Sequence, residues 1–421
     1  MGRKCCSAFI MALVSLLVST ICFAGETKLI EREELQSGSF TYSISDDWTV
    51  SISKWNGEDD ILRIPDVIDG KEVTSIDEYA FAFCNNLSSI EIPDSITTIE
   101  GNPFLGCGSL NEVIISPYND YYAVIDNVLY DKKEKSIICY LCGGGNSEYI
   151  IPEGIKAIGS TAFSECNNLT SIKIPDSVTK IGKEAFRACA NLRNIELPNS
   201  LTTIGEAAFI DCGNLANIEL PESLASIEGY AFYDCANMSS IEIPDSVTTI
   251  GANPFVRCSS LTRIIISPDH ENYAVIDQAL FDKKEKSIIS YLWGSSNSEY
   301  RIPKGIKTIG ASAFSNCESL TSIKIPDSVT TIGEDAFFNC KNLTSVELPD
   351  SVTTIEKGAF FGCVKLPSIE LPDSVTTIGD YALSSCEKLT LTVGRDSYAK
   401  QYAEDNDIPY TYRDANDWLN E

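Results

Sequence analysis

Cysteine is the residue whose type and spacing first suggest chemistry in this chain of 421 residues. Eleven of its 16 cysteines recur at steps of 23 residues, interrupted by two equal steps of 59. They are Cys84, Cys107, Cys166, Cys189, Cys212, Cys235, Cys258, Cys317, Cys340, Cys363 and Cys386. A thiol at a core position behaves as a small apolar group, and bridges along a ladder need backbone twist. We therefore expect a structural ladder of mostly free, buried thiols.

Two further cysteines, Cys139 and Cys142, form a C-x-x-C motif. Such a motif can be a redox pair or half of a zinc site. A second copy of the same segment carries Ser290 and Trp293 at these positions, so the scaffold does not require the pair. We expect a local disulfide or no role, and no catalysis.

The only histidine is His270. Histidine is the usual proton shuttle at neutral pH and the commonest metal ligand, so triads and histidine-based metal sites are almost excluded. His270 lies in a turn-like stretch, and Asn119 occupies its place in the other copy. We interpret His270 as an ordinary loop residue. The sequence predicts no catalytic residue, no metal site and no cofactor.

Acidic residues outnumber basic ones, 60 to 32, giving a formal net charge of −28 spread along the chain. A polyanion is repelled by phosphate backbones, which argues against nucleic acid as a partner, and by anionic membranes. Acidity also serves solubility alone.

Aligning the chain on its cysteines shows the unit C-x-x-L-x-x-I-x-[IL]-P-x-S-[VL]-x-x-I-x-x-x-A-F-x-x-C. In one unit Leu169, Ile172 and Ile174 predict a short strand with apolar side chains turned inward, and Pro175 ends it. One unit cannot bury this face, but stacked units bury it on both neighbours. We predict a mainly β repeat solenoid, a right-handed superhelix with short strands in each turn.

The two steps of 59 residues each contain an insert in which apolar segments flank Asp-Lys-Lys-Glu-Lys. This pattern predicts β-hairpins at about 117–148 and 268–299. The solenoid is expected over 61–393, between an N-terminal cap at 25–60 and a C-terminal cap at 394–421 with a short helix at 396–405.

The N-terminus resembles an export signal, with Arg3 and Lys4 before a mostly apolar stretch. We expect residues 1–24 to be a signal peptide cut after Ala24, hence a secreted or cell-surface protein. The alternative is a lipoprotein anchored through Cys22, but Ile21 is too bulky for a good site of that kind. No later stretch is long enough for a transmembrane segment.

The repeat resembles the treponemal-type leucine-rich repeats of the BspA-like family of surface proteins. The resemblance rests on Ile325 to Gly333 and Ala336 to Cys340, and it covers 61–393. It implies a non-enzymatic bacterial surface protein that binds host matrix proteins or other cells.

Acidic residues occupy outward columns of the predicted strands. The residue seven after each cysteine points outward, and a proline and an acidic residue follow it. The candidate binding face comprises Glu91, Glu196, Glu219, Glu242, Glu347, Glu370, Asp94, Asp176, Asp245, Asp327, Asp350 and Asp373. Lys173 and Lys324 stand in the same column. Stacked carboxylates repel, so the face predicts a cationic partner or a bound cation; a merely solvated face is the alternative.

Ile114 and Ile265 break the acidic column just before each insert. We expect each hairpin to fold back and bury them. A further column of paired threonines, such as Thr353 and Thr354, suits a strand ladder and can bond across rungs.

The predicted function is binding of a protein partner through the repeat face, with adhesion to host extracellular matrix or another cell surface. The alternative is a structural protein that self-assembles into an envelope or surface fibre without a host ligand.

Overall fold

The structure, a computed structural model, describes residues 33–144, 146–294 and 297–414. The signal peptide predicted at 1–24, with Cys22, lies outside these residues. Among the residues described, we find no helix with the length and apolar character needed to cross a membrane.

Each repeat is one coil of a solenoid with three walls, which confirms the predicted fold class. The first wall, here called the strand wall, is formed by the L-x-x-I-x-I segments, whose apolar residues point inward. Its strands are β4 (Ile61–Arg63), β7 (Ser89–Ile92), β9 (Glu112–Ile115), β13 (Glu148–Ile150), β15 (Ser171–Lys173), β17 (Asn194–Glu196), β20 (Ser240–Ile243), β22 (Arg263–Ile266), β26 (Glu299–Arg301), β28 (Ser322–Lys324), β30 (Ser345–Glu347), β32 (Ser368–Glu370), β34 (Thr390–Val393) and β35 (Tyr410–Tyr412).

The second wall, the threonine wall, consists of two-residue strands that pair in parallel with the coil before and after. β-Branched residues favour this extended backbone. Its strands are β8 (Thr98–Ile99), β14 (Ala157–Ile158), β16 (Lys180–Ile181), β18 (Thr203–Ile204), β19 (Ser226–Ile227), β21 (Thr249–Ile250), β27 (Thr308–Ile309), β29 (Thr331–Ile332), β31 (Thr354–Ile355) and β33 (Thr377–Ile378).

The third wall, the turn wall, is built from β-turns around the Ala-Phe pair. Its amides bond to the next coil, as when Phe163 N donates to the carbonyl of Ala185 at 2.7 Å. Most coils have two residues in left-handed backbone, such as Glu184 and Ala188, and at Gly358 (φ 61°) and Gly362 (φ 73°) glycine adopts this conformation without strain.

Phenylalanine rings stack along the axis behind the turn wall. The rings of Phe186 and Phe209 are parallel with centroids 5.2 Å apart, and Phe232 follows at 5.5 Å. All three are fully buried, so the stack forms much of the core.

The inserts contain the predicted hairpins, but each has three antiparallel strands. They are β10 (Tyr122–Ile125), β11 (Val128–Asp131) and β12 (Ser136–Tyr140), and then β23 (Tyr273–Ile276), β24 (Ala279–Asp282) and β25 (Ser287–Tyr291). The third strand is not peripheral, since β12 pairs in parallel with β14 and β25 with β27. Each insert therefore starts a new stretch of the threonine wall.

The terminal regions differ from the repeats. The first region contains β1 (Leu35–Ser37), β2 (Phe40–Ile44) and β3 (Val50–Trp55), followed by β5 (Val67–Ile68) and β6 (Lys71–Ile76). β3 pairs in parallel with β6 and so starts the threonine wall. At the other end, helix α1 (Tyr398–Asp405) confirms the predicted short helix and buries Ala399 and Ala403 against the last coil.

Candidate functional site

The twelve predicted acidic residues lie on the outer side of the strand wall and at the bend that follows it. Eleven of them are exposed, and Glu91 is half-buried. The inward neighbours, such as Ile195 and Ile241, are buried. The strand wall therefore displays a file of carboxylates on a rigid apolar support.

The strand-wall ladder is interrupted where glutamates neighbour one another. β15 pairs with β17 in a register that sets Lys173 beside Glu196. In contrast, residues 217–219 form no strand, and β30 does not pair with β32. These gaps fall at the neighbours Glu196, Glu219 and Glu242 and again between Glu347 and Glu370. The threonine wall stays paired through the same coils, so the coils themselves remain stacked. Repulsion between stacked carboxylates is therefore sufficient to explain why the strand wall alone loses its pairing there.

Cations neutralise the two ends of this file. Arg63 Nε lies 3.5 Å from Glu91 Oε1. Arg413, from the C-terminal cap, contacts Glu370 at 2.5 Å and Asp373 at 3.3 Å.

The middle of the file has no such partner. Within the described ranges, no ion pair involves Glu196, Glu219 or Glu242. These three consecutive coils, here called the central acidic stretch, present exposed glutamates that form no ion pair, with Lys173 one coil before Glu196.

The recurring cysteines form an internal file beside the phenylalanine stack. Eight of the eleven thiols donate to the carbonyl of the phenylalanine 26 residues earlier, as Cys212 does to Phe186 at 3.0 Å. Burial raises the pKa of the Cys189 thiol to about 12 and that of Cys212 well above its ordinary value. The predicted ladder of buried, free thiols is thus confirmed for most members, and the thiol–carbonyl contact explains why cysteine suits this position.

A comparison with protein-family models identifies the family of the repeat. The model of the BspA type leucine-rich repeat region matches six copies, at residues 63–138, 156–288 and 286–401. The chain belongs to the BspA-type leucine-rich repeat family. A comparison with curated proteins finds no significant match.

Solved structures include similar leucine-rich repeat chains. A leucine-rich cell surface protein from Faecalibacterium prausnitzii is 30% identical, with a TM-score of 0.53; the match covers 88% of this chain and 97% of that one. A leucine-rich repeat protein from Bacteroides ovatus is 26% identical, with a TM-score of 0.38, and the match covers 90% and 99%.

One disulfide decides the state of the C-x-x-C motif, which the sequence of this BspA-type protein left open between a local disulfide and no role. Cys142 is bonded to Cys166, with Cα atoms 5.0 Å apart, whereas Cys139 is free and buried. The C-x-x-C pair is therefore not bridged, and Cys166 is not a free member of the ladder. Cys142 occupies the ladder position of the coil that the insert starts. Its separation of 24 residues from Cys166 hid it from a search for a 23-residue period.

The expectation that the hairpins bury Ile114 and Ile265 is wrong. Ile114 is 44% exposed and Ile265 is half-buried. The insert strands extend the threonine wall, so they do not cover the outer side of the strand wall. Ile114 instead lines an open groove between β9 and β10.

The interpretation of His270 as an ordinary loop residue is also wrong. His270 is 1% exposed, and its Nδ1 accepts the amides of Asn272 and Tyr273 at 3.1 and 3.2 Å. Asn119 performs the same task through Oδ1 in the first insert. His270 is a structural acceptor inside the turn.

Sequence reasoning missed the residues that join the solenoid across each insert. Asn102 Nδ2 donates to the carbonyl of Thr161 at 2.9 Å, and its Oδ1 accepts the amide of Phe104. Asn253 repeats this with Ser312 and Phe255. The signal was visible, since the coil before each insert reads Asn-Pro-Phe where others have Ala-Phe.

Proposed function

We propose that this protein is a secreted or cell-surface, non-catalytic adhesion protein that binds a protein partner across the strand wall. The observation that carries the proposal is the central acidic stretch, where Glu196, Glu219 and Glu242 are exposed and form no ion pair with any residue that the structure describes. A basic protein surface laid along these coils supplies the missing charge, and complementary charge speeds encounter and fixes orientation. The family match supports protein binding as the general role.

Charge variants test which face binds. We expect Glu196→Gln, Glu219→Gln and Glu242→Gln together to weaken binding to immobilised extracellular-matrix protein and to reduce its salt dependence. The matched control changes three exposed carboxylates of the inserts, Glu134→Gln, Glu271→Gln and Glu285→Gln. Equal loss in both triple variants would contradict a site on the strand wall.

Removal of whole coils tests whether binding is distributed. Deleting residues 190–212 removes one 23-residue period and leaves flanking coils able to stack. Many weak contacts along the wall predict a graded loss of binding with each coil removed. Binding that does not depend on coil number would refute the proposal. Light scattering distinguishes this proposal from the self-assembling alternative, because self-assembly requires the purified protein to form large particles without any ligand.

Secretion has a direct test of its own. Expression of the full chain in a bacterial host with a general export pathway is expected to release a protein whose first residue is Gly25. Retention of Met1 in the cell, or a lipid on Cys22, would contradict cleavage after Ala24.

A further inference from the structure

The last two thiols of the ladder differ from those in its interior. Cys363 is fully buried, whereas Cys386 is half-exposed. The two thiols are neighbours in the ladder, 23 residues apart, and donate to the carbonyls of Phe337 and Phe360 at 3.3 and 3.1 Å. The first pair, Cys84 and Cys107, likewise combines a half-exposed and a buried thiol.

Cys386 also borders a cleft of 410 Å³ between the last coil and the C-terminal cap. The cleft is lined on one side by Ser384–Thr390 and on the other by Asn406–Pro409. Its side chains include Glu387, Lys388 and Asp407, so it suits a small, charged, water-soluble reagent. Interior thiols such as Cys235 are fully buried and have no such access.

Neighbouring ladder positions can be bridged in this fold, because Cys142 and Cys166 already are, with Cα atoms 5.0 Å apart. That distance lies within the usual range for disulfides. The coils of Cys363 and Cys386 are held by the same pairing, with Phe360 N bonded to the carbonyl of Ala382 at 2.7 Å.

We propose that Cys386 and Cys363 form a redox-active dithiol that reacts with low-molecular-weight disulfides entering the cleft beside the C-terminal cap. Cys386 is the attacking thiol and Cys363 the resolving thiol. This site is independent of the proposed binding face.

The reaction is a thiol–disulfide exchange in two steps. The Cys386 thiolate attacks one sulfur of the small disulfide, forms a mixed disulfide and releases a small thiolate, which takes up a proton. Cys363 then loses its proton, attacks Sγ of Cys386 and releases the second small thiol. Two protein thiols are oxidised and one small disulfide is reduced. The neighbouring Cys363 thiol lowers the pKa of Cys386, which favours the first step.

Peptide mapping of the protein from residue 25 onward, treated with glutathione disulfide, tests the proposal. We expect a Cys363–Cys386 disulfide in the wild type and a trapped glutathione adduct on Cys386 in Cys363→Ser. The adduct should form at least about tenfold faster than any on Cys235, as exposure and thiolate character differ. Cys386→Ser should show neither product, and Cys235→Ser should behave as wild type.

Two results would overturn the proposal. One is a Cys363→Ser protein, folded by circular dichroism, that gains no glutathione on Cys386. The other is labelling of interior thiols as fast as Cys386. Cys363→Ala serves as a second trapping variant in case the serine hydroxyl disturbs the core. In the wild type, the new bond should also raise Tm relative to untreated protein, and Cys386→Ser should show no such rise.

Discussion

At the scale of single residues, the two inserts form a natural comparison, because they differ by substitutions at matched positions. Tyr149 and Tyr300 are equivalent and both buried. The Tyr149 hydroxyl bonds to that of Tyr130, but Phe281 replaces Tyr130 in the second copy. The Tyr300 hydroxyl is therefore buried without a hydrogen-bond partner. A lone buried hydroxyl is a local cost to stability.

Removing that hydroxyl is expected to stabilise the protein. Tyr300→Phe should raise the free energy of unfolding by about 1 kcal/mol, because it removes an unsatisfied group. Tyr149→Phe should lower it by a similar amount, since it leaves the Tyr130 hydroxyl alone. Urea denaturation measures both. If the two variants shift stability in the same direction, the assignment of partners is wrong.

Asp335 makes the stability of the folded protein depend on pH, and the direction of that dependence follows from its pKa. Its burial on the turn wall, with a smaller effect of Glu334, raises its pKa from 3.8 to about 6, partly offset by Lys357. The folded state then holds its proton more tightly than the unfolded state, so this residue favours folding increasingly as pH falls from about 6 toward 4.

The Asp335→Asn variant isolates this contribution. At pH 7 it should be more stable than the wild type by roughly 1 to 2 kcal/mol, and near pH 4 the difference should vanish. Tm measured against pH for both proteins checks this. A difference that grows toward low pH would contradict the buried, raised-pKa carboxyl.

At the scale of elements, the inserts open the ladders and specific side chains replace the lost bonds. The Tyr122 hydroxyl accepts the amide of Ile99 at 2.8 Å, at the open edge of β8. On the turn wall, Asn102 and Asn253 bond across 59 residues. The Asn-Pro-Phe element thus terminates one stack and joins it to the next.

Asn102→Ala is expected to cost about 2 kcal/mol of stability, because two buried hydrogen bonds are lost. Asn253→Ala should do the same at the second junction. The control is Asn214→Ala, which removes two exposed bonds, one to the carbonyl of Ala190 and one from Asn237 Nδ2, and should cost under about 1 kcal/mol. Chemical denaturation distinguishes them, and equal losses in all three would rule out a special role for the junction.

The interrupted strand wall leads to a prediction about charge. Glu219→Lys places a cation between Glu196 and Glu242, as Lys173 stands beside Glu196 where the ladder is intact. We expect added hydrogen-exchange protection at the amides of residues 217–220 and a gain of roughly 1 kcal/mol. Glu134→Lys, in the turn of the first insert, is the control for net charge. Unchanged protection at 217–220 would mean that another cause, such as the Leu-Pro ends of these strands, breaks the ladder.

Much of the fold could be predicted from the sequence because a strict period fixes which side chains meet. The inward file of Cys189, Cys212 and Cys235 follows from spacing alone. Features created by the inserts could not be predicted this way. Ile114 is exposed because the insert strands join a different wall, and Arg413 reaches Glu370 from 43 residues away. Cys142 enters the ladder out of period. Each depends on where a non-repeating segment packs.

At the scale of the whole molecule, the inserts divide one solenoid into three apolar cores. The first extends from Tyr42 to Leu141, the second from Val128 to Leu292 and the third from Ala279 to Ala403. The ranges overlap because the insert strands contribute side chains to the cores on both sides. In a repeat array, each coil is stabilised only by its neighbours. The junctions are therefore the points at which folding cooperativity is weakest.

Matched core substitutions test this division. Phe81 and Phe337 are fully buried, one in the first core and one in the third, and truncation to Ala should cost each core about 3 to 5 kcal/mol. Trp55 is buried against Phe81, with ring centroids 6.4 Å apart, so a variant with Trp55 as its sole tryptophan reports on the first core.

In that background, Phe81→Ala should move the fluorescence transition to lower urea. Phe337→Ala should leave it in place while part of the circular dichroism signal is lost earlier. The physical reason is that only junction contacts, such as Asn102 to Thr161, couple the cores. A Phe337→Ala protein whose fluorescence and circular dichroism transitions shift together would show that the junctions transmit full cooperativity, and the solenoid would then be one folding unit.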